Sequence, residues 1–273
     1  MRIVSLQPSV SVILESLGCL DTLVACTRYC LDVVPELHSR HLPLVHDAWT
    51  TTTDELTALK PDLVIASVPY RHESLAAILK AGFPLLALAP HSLADIYSDI
   101  RLIGSVVHAS NQAENVIASM QSEIAETIRK VLSASHRPRI YCEEWGKPLI
   151  HSQYWVKELV ESAGGEFVGA PGTVTEAEAI AAANPDAIVM AWCGAGMRVP
   201  LERTVEKRGW QDLKAVVNRR VFCITEELLN TPAPTLIGGL RALASVIHPD
   251  IFTPPQSVQL RCIDFEAEPS KLV

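Results

Sequence analysis

Long apolar runs, basic clusters, closely paired cysteines and glycine-rich nucleotide signatures are all missing from this 273-residue chain. The longest apolar stretches, such as residues 85–90 and 187–193, fall well short of the ~20 residues that a membrane-spanning helix needs. Basic residues number 23 against 31 acidic ones, for a net charge of -8, and they form no cluster along the sequence. That balance argues against nucleic acid and anionic membrane surfaces as partners. Seven cysteines include no Cys-x-x-Cys pair, and an odd count on a chain of this length points to reduced, buried thiols. Cys26 and Cys30 lie near His38, His41 and His46, but the spacing matches no zinc module, so no metal site is expected. Cys193-Gly194-Ala195-Gly196 lacks the third glycine of a dinucleotide fingerprint, and no Walker A motif occurs. No charged-then-apolar leader precedes the strand expected at residues 2–6. The chain therefore reads as cytoplasmic as written, and as periplasmic or extracellular if a leader has been removed.

What is present is an ordinary globular balance, 48% apolar and 20% charged, enough for one large or two modest domains. The dominant feature is a helix expected over residues 110–135. Ala113, Val116, Ile117, Met120, Ile124, Ile128 and Val131 recur at a spacing of three or four and form one stripe. Before it, strands are expected near residues 2–6, 23–26, 63–66 and 85–88, with helices near 9–17, 55–59, 72–81 and 93–107. Residues 28–46, with Pro35 and Pro43, read as irregular. After it, strands near 139–142, 187–191 and 220–224 alternate with helices near 154–163, 176–183, 201–208 and 235–246, and an edge strand could lie within 258–265.

The two halves echo each other. Leu56-x-x-x-Lys60-Pro61-Asp62-Leu63 aligns with Ile180-x-x-x-Asn184-Pro185-Asp186-Ala187, and Arg2-Ile3 aligns with Arg139-Ile140. Alternating strands and helices imply parallel sheets, whose ligands sit beyond the carboxyl ends of the strands. The expected architecture is α/β: a lobe over 1–109, a connecting helix over 110–136 and a second lobe over 137–273.

Several stretches resemble the helical-backbone substrate-binding proteins of ABC importers, and within them the cobalamin-binding branch. Residues Arg2 to Ser9 match that family's opening strand and turn, and Lys60-Pro61-Asp62-Leu63-Val64 its strand entry. Trp155-Val156-x-Glu158-Leu159-Val160-x-x-Ala163-Gly164-Gly165 is close to its helix signature. Arg220-Val221-Phe222, Pro234, Gly239-Leu240 and Ile247-His248-Pro249 follow its carboxyl-terminal pattern. The resemblance implies two lobes with mainly parallel sheets joined by a long rigid helix, a ligand cleft between the lobes, and no catalysis. Val12, Thr235 and the missing leader depart from the pattern.

Aromatic residues make up only 5% of the chain, yet Tyr29, Trp49, Tyr70, Trp145 and Trp192 fall at expected strand ends or in the loops that follow. Such rings suit the face of a large planar ligand, although each could instead cap a lobe. Trp155, inside the helix signature, reads as structural. Arg71 and Arg198, like Arg28, could clasp anionic ligand groups or simply be solvated. His91 could supply an axial ligand. Glu143 could accept hydrogen bonds from a ligand or from loop amides; it and Glu144 point to opposite sides of a strand, which argues against joint acid–base chemistry. The expected cargo is a cobalamin-like corrinoid, with a ferric siderophore or haem as alternative, or else a cytoplasmic enzyme or chaperone acting on such a compound. The protein is expected to be a monomer with no catalytic cofactor. By the resemblance, an ABC permease would be its partner, contacted through Glu73 and Glu202.

Overall fold

The computed structural model describes residues 1–256 and 259–265. The chain divides into two compact units, residues 1–121 with 231–234 and residues 122–230 with 235–273.

The first unit contains β1 (Ile3–Ser5), α1 (Pro8–Ser16), β2 (Leu23–Thr27), α2 (Arg28–Val33), α3 (Leu37–Arg40) and β3 (Leu44–Val45). It continues with α4 (Thr53–Leu59), β4 (Leu63–Ser67), α5 (His72–Lys80), β5 (Leu85–Leu88) and α6 (Leu93–Val106). Its sheet has the order β3-β2-β1-β4-β5, and every pairing is parallel. Strand β1 is wholly buried, as parallel strands covered on two sides must be. Val4, Leu6, Ala25, Leu56, Val64 and Ile78 build the core on one face. Strand order reverses between β1 and β4, which marks the topological switch point. The stretch 28–46, expected to be irregular, instead folds into α2, α3 and β3. Pro35 separates the two short helices, and His41 ends the second in the left-handed conformation.

The helix α7 (Ser110–Val131) runs from the first unit into the second, four residues short of the expected end. Ala113, Ile117 and Met120 are buried as the periodicity predicts, whereas Ile128 is exposed. Arg101 on α6 pairs with Glu114 at 2.7 Å.

In the second unit follow β6 (Arg139–Gly146), β7 (Leu149–His151), α8 (Tyr154–Ser162), β8 (Glu166–Phe167), β9 (Val174–Thr175) and α9 (Ala177–Ala183). Then come β10 (Ala187–Met190), α10 (Leu201–Lys207), α11 (Lys214–Val217), β11 (Val221–Ile224), α12 (Leu236–Ile247) and β12 (Leu260–Cys262). Arg241 on α12 holds Glu123 of α7 at 2.9 Å. Strands β6, β10 and β11 form a parallel centre, which β7, β9 and β12 extend by antiparallel pairing. The expected edge strand is β12 over 260–262; residues 257–258 and 266–273 lie outside the described residues.

The internal echo is physical as well as sequential. Lys60 and Asn184 both end a helix in the left-handed conformation. Asp62 then accepts the Arg2 amide at 2.7 Å, and Asp186 accepts the Arg139 amide at 2.8 Å. Each arginine in turn caps the preceding helix: Arg2 donates to the Leu59 carbonyl at 2.8 Å, and Arg139 to the Ala183 carbonyl at 2.6 Å. One helix-to-strand device is thus used once in each unit.

Candidate functional site

Because every strand of the first sheet points the same way, the segments that follow β1, β2, β3, β4 and β5 all emerge at one edge. That edge carries Tyr29 after β2, Trp49 after β3, Tyr70 and Arg71 after β4, and His91 after β5. Backbone bonds knit these loops together. The Ala48 amide donates to Leu6 at 3.2 Å, the Arg71 amide to Ala48 at 3.3 Å, and the Ser74 hydroxyl to the Trp49 carbonyl at 3.1 Å. At the switch point, Gln7 Nε2 donates to the Pro69 carbonyl at 2.8 Å. Asp47 Oδ1 accepts the amides of Trp49 and Thr50, which fixes the turn that carries the indole.

Apart from Tyr70, which is half-buried against the core of the unit, the side chains named on this edge are open to solvent. Trp49 is 50% exposed and Tyr29 41%, leaving aromatic surface open to a ligand. The Arg28 guanidinium lies 5.0 Å from the Tyr29 ring centroid, and Tyr70 stands edge-on to His72. Arg71 approaches Glu73 at only 3.8 Å, leaving both groups solvated. The His91 amide is held by Asp95, while its ring is exposed.

The second unit presents its own carboxyl edge, and here the structure sorts the expected residues differently. Glu143 is completely buried. Its Oε1 accepts Trp192 Nε1 at 2.7 Å and Arg208 at 2.9 Å, and its Oε2 accepts the Tyr141 hydroxyl at 2.7 Å and Arg208 at 2.8 Å. Four donors occupy both oxygens, so Glu143 is a structural hub and not a ligand contact. Burial and the adjacent Glu143 carboxylate push the Tyr141 hydroxyl far above its usual pKa. Trp192 is half-buried, with its ring against Gly146, where any side chain would clash. Arg208 completes the assembly by stacking 4.8 Å from the Trp210 ring. Nothing in the sequence singles out Arg208; its partner lies 65 residues away, and no local pattern marks it.

Trp145 remains 42% exposed, donating its indole N–H to Lys147 at 2.9 Å. Arg198 is exposed and donates to the carbonyls of Ala195 and Gly194. Trp155 is buried and donates to the Leu229 carbonyl at 2.8 Å, a packing role. Glu202 accepts the Asp264 amide at 3.0 Å and lies 3.5 Å from Arg261.

Three further polar groups stand at this edge, two of them, Glu226 and Asn230, brought there only by the fold. Glu226, after β11, accepts the amides of Gly194 at 2.9 Å and Gly196 at 2.7 Å, so the glycine loop cradles a carboxylate of its own chain. Glu144 takes one bond, from Gln153 Nε2 at 2.7 Å, and burial raises its pKa. Asn230 Nδ2 donates to the Ala191 carbonyl at 2.6 Å, while its buried Oδ1 has no partner among the described residues. Burial, with Glu144 nearby, pushes the Cys193 thiol up to about 12, the opposite of what a nucleophile needs. Among the described residues no group of three His, Cys, Asp or Glu side chains could hold a metal ion. No helix among them is long and apolar enough to cross a membrane.

Two open loop edges with aromatic rings and two halves built on one plan describe a device for holding a ligand. Residues 3–228 match the family described as periplasmic binding protein. The chain belongs to that family. Its members are substrate-binding proteins of transporters, in agreement with the helical-backbone resemblance read from the sequence. Among curated relatives, an uncharacterized ABC transporter substrate-binding lipoprotein, YvrC of Bacillus subtilis strain 168, is 29% identical over 92% of this chain and 81% of its own. Two solved structures share the fold. A periplasmic heme-binding protein from Pseudomonas aeruginosa superposes with a TM-score of 0.84 at 21% identity, covering 98% of this chain and 99% of its own. The periplasmic vitamin B12-binding protein BtuF of Vibrio cholerae does so with a TM-score of 0.72 at 21% identity, covering 90% and 95%.

Proposed function

We propose that this protein is the substrate-binding component of an ABC importer and that its cargo is a corrinoid. The ABC role is supported by the family and by the role given to the Bacillus relative. The observation that carries the cargo is the acidic edge of the second unit, on which Trp145 is exposed. Trp145, like Trp49 in the first unit, offers flat apolar surface, while Glu144 near the end of β6 and Glu226 and Glu227 after β11 carry carboxylates. Of the cations there, Arg208 is spent on Glu143 and Arg198 is turned onto backbone carbonyls, while Lys147 is exposed. A corrin ring carries neutral amide side chains, which an acidic edge tolerates and can hydrogen-bond. Haem carries two propionates and catecholate siderophore complexes are anionic, and an acidic edge disfavours both. Glu144 takes only one bond within the protein, from Gln153, so its carboxylate has capacity left to accept from a ligand amide.

Haem is the second reading. It is favoured by Arg28 and Arg71 on the first edge, which suit carboxylate groups, and by the ligand of the Pseudomonas neighbour.

Titration of the purified, ligand-free protein with cyanocobalamin, cobinamide and hemin separates the two readings. The expected result is stoichiometric quenching of tryptophan fluorescence by the two corrinoids at micromolar concentration or below, with hemin much weaker, and loss of the response in Trp49→Ala. Tight hemin binding with no corrinoid response would overturn the cargo and leave the fold and family unaffected.

A further inference from the structure

A cavity of about 660 Å³ opens in the second unit at the opposite end of the sheet from Trp192 and Glu226. Pro138, Asp186 and Arg220 each immediately precede one of the parallel strands β6, β10 and β11, so all three stand at the amino-terminal edge. Segment 133–137, α11 and segment 247–251 complete the wall. The side chains assembled there are unexpectedly cationic for a chain of net charge -8. Arg137, Lys214, Arg220, His136 and His248 line the cavity against two carboxylates, Asp186 and Asp250. Along the sequence these cations are scattered over separate segments and form no cluster; the fold collects them.

Their donors are only partly spent. Arg137 uses Nη2 on the Gly165 carbonyl at 3.0 Å. Arg220 uses Nε on the Asp186 carbonyl at 3.2 Å and Nη2 on the Val246 carbonyl at 2.6 Å, closing the end of α12. Among the described residues, Nε and Nη1 of Arg137 and Nη1 of Arg220 have no protein partner. The Asp186 carboxylate is committed to the Arg139 amide and to the Lys214 ammonium. The His136 ring stands edge-on to His248 at 5.9 Å. Burial, with His136 and Arg220 close by, lowers the His248 pKa, and Asp250 only partly opposes the shift.

We propose that this cavity is a second ligand site, for a small soluble phosphate ester whose phosphoryl oxygens are taken by Arg137, Arg220 and Lys214. Planar guanidinium donors and a lysine suit tetrahedral oxyanions. Small-molecule pockets run from ~300 to ~1,000 Å³, so an inorganic ion would leave most of this cavity empty while a sugar phosphate would occupy it. A divalent cation is disfavoured, because three arginine and lysine side chains face the space and Asp186 is already paired. The site is independent of the corrinoid reading and uses none of the same residues.

The test is calorimetric titration of the full chain at low salt with ribose 5-phosphate, with ribose as the neutral control and imidazole NMR following His136 and His248. The expected outcome is saturable one-site binding, shifted imidazole signals, silence with ribose, and at least tenfold weaker binding in Arg137→Gln. Lys214→Gln is a second variant, should loss of the Gly165 contact impair folding, and cyanocobalamin titration of both variants should be unchanged. Absence of heat and of imidazole shifts at tens of millimolar ester would overturn the proposal, as would undiminished binding in both variants. A phospholipid headgroup shares the phosphate chemistry. Flotation with phosphatidylglycerol vesicles that Arg137→Gln abolishes, without binding of the soluble ester, would also overturn it and move the site to lipid.

Discussion

At the scale of single residues, Glu143 shows how one carboxylate can be misplaced by its position in the sequence. It follows the strand core of β6, where a ligand contact would sit, yet its two oxygens take four donors inside the second unit. Glu143→Ala would leave the Arg208 guanidinium buried opposite nothing, and such a break costs about 3–5 kcal/mol. The expected outcome is a loss of that size in urea unfolding, with altered tryptophan emission as the Trp192 indole N–H loses its acceptor. Glu143→Gln, which keeps the shape and part of the bonding, should lose clearly less. A loss below about 1 kcal/mol for the alanine variant would show that the network contributes little. The aromatic residues are legible in the sequence because a chain with few rings makes each one conspicuous. The partner of Glu143 is not, because Arg208 reaches it only through tertiary folding.

At the scale of elements, periodicity works where a helix or buried strand is long. The expected bounds of α5, α6 and α8 differ from the observed ones by a residue, since each has an apolar stripe and a clear end. The hairpin of β6 with β7 and the two-residue β8 and β9 leave no such signal, because two or three residues carry no measurable period. Residues 28–46 mislead for a different reason. Their prolines do break regular structure, but α2 and α3 are short enough to fit on either side of Pro35. Helix α6 yields a prediction of its own. It starts with a capping box in which Ser92 Oγ accepts the Asp95 amide at 3.2 Å and Asp95 accepts the Ser92 amide at 2.9 Å. One turn on, Asp99 is half-buried, and burial first, then the Asp95 charge, push its pKa up to about 6. A carboxyl whose folded pKa exceeds its unfolded value of about 3.9 costs stability above the folded pKa, and the cost fades as pH falls from about 6 to about 4. Asp99→Asn should therefore stabilise the protein by about 1 kcal/mol near neutral pH, after allowance for solvent screening, and give no gain near pH 4. Urea midpoints measured at both pH values check it. An equal gain at both would assign the effect to packing and not to charge.

At the scale of the whole molecule, the paired Arg2–Asp62 and Arg139–Asp186 devices point to one plan used twice, and the matching order of the two motifs along the chain makes that plan legible in the sequence. Partner contacts need not be equally free in the two units. Glu73 lies in the first turn of α5 with its side chain 78% exposed and only a 3.8 Å approach to Arg71. Glu202, in the first turn of α10, is already bound by the Asp264 amide and Arg261. If both carboxylates dock a permease, as the importer reading proposes, their removal should differ in its side effects. Glu73→Ala should leave unfolding and ligand affinity unchanged, because an exposed ion pair at that distance contributes little. It should lower the protein's stimulation of permease ATPase activity in reconstituted vesicles. Glu202→Ala should lower that stimulation too, but also cost up to about 1 kcal/mol by freeing the segment that follows β12. Full stimulation by the Glu73 variant would remove that residue from the docking surface. Full stimulation by the Glu202 variant would leave Glu202 as an internal tether for the segment after β12.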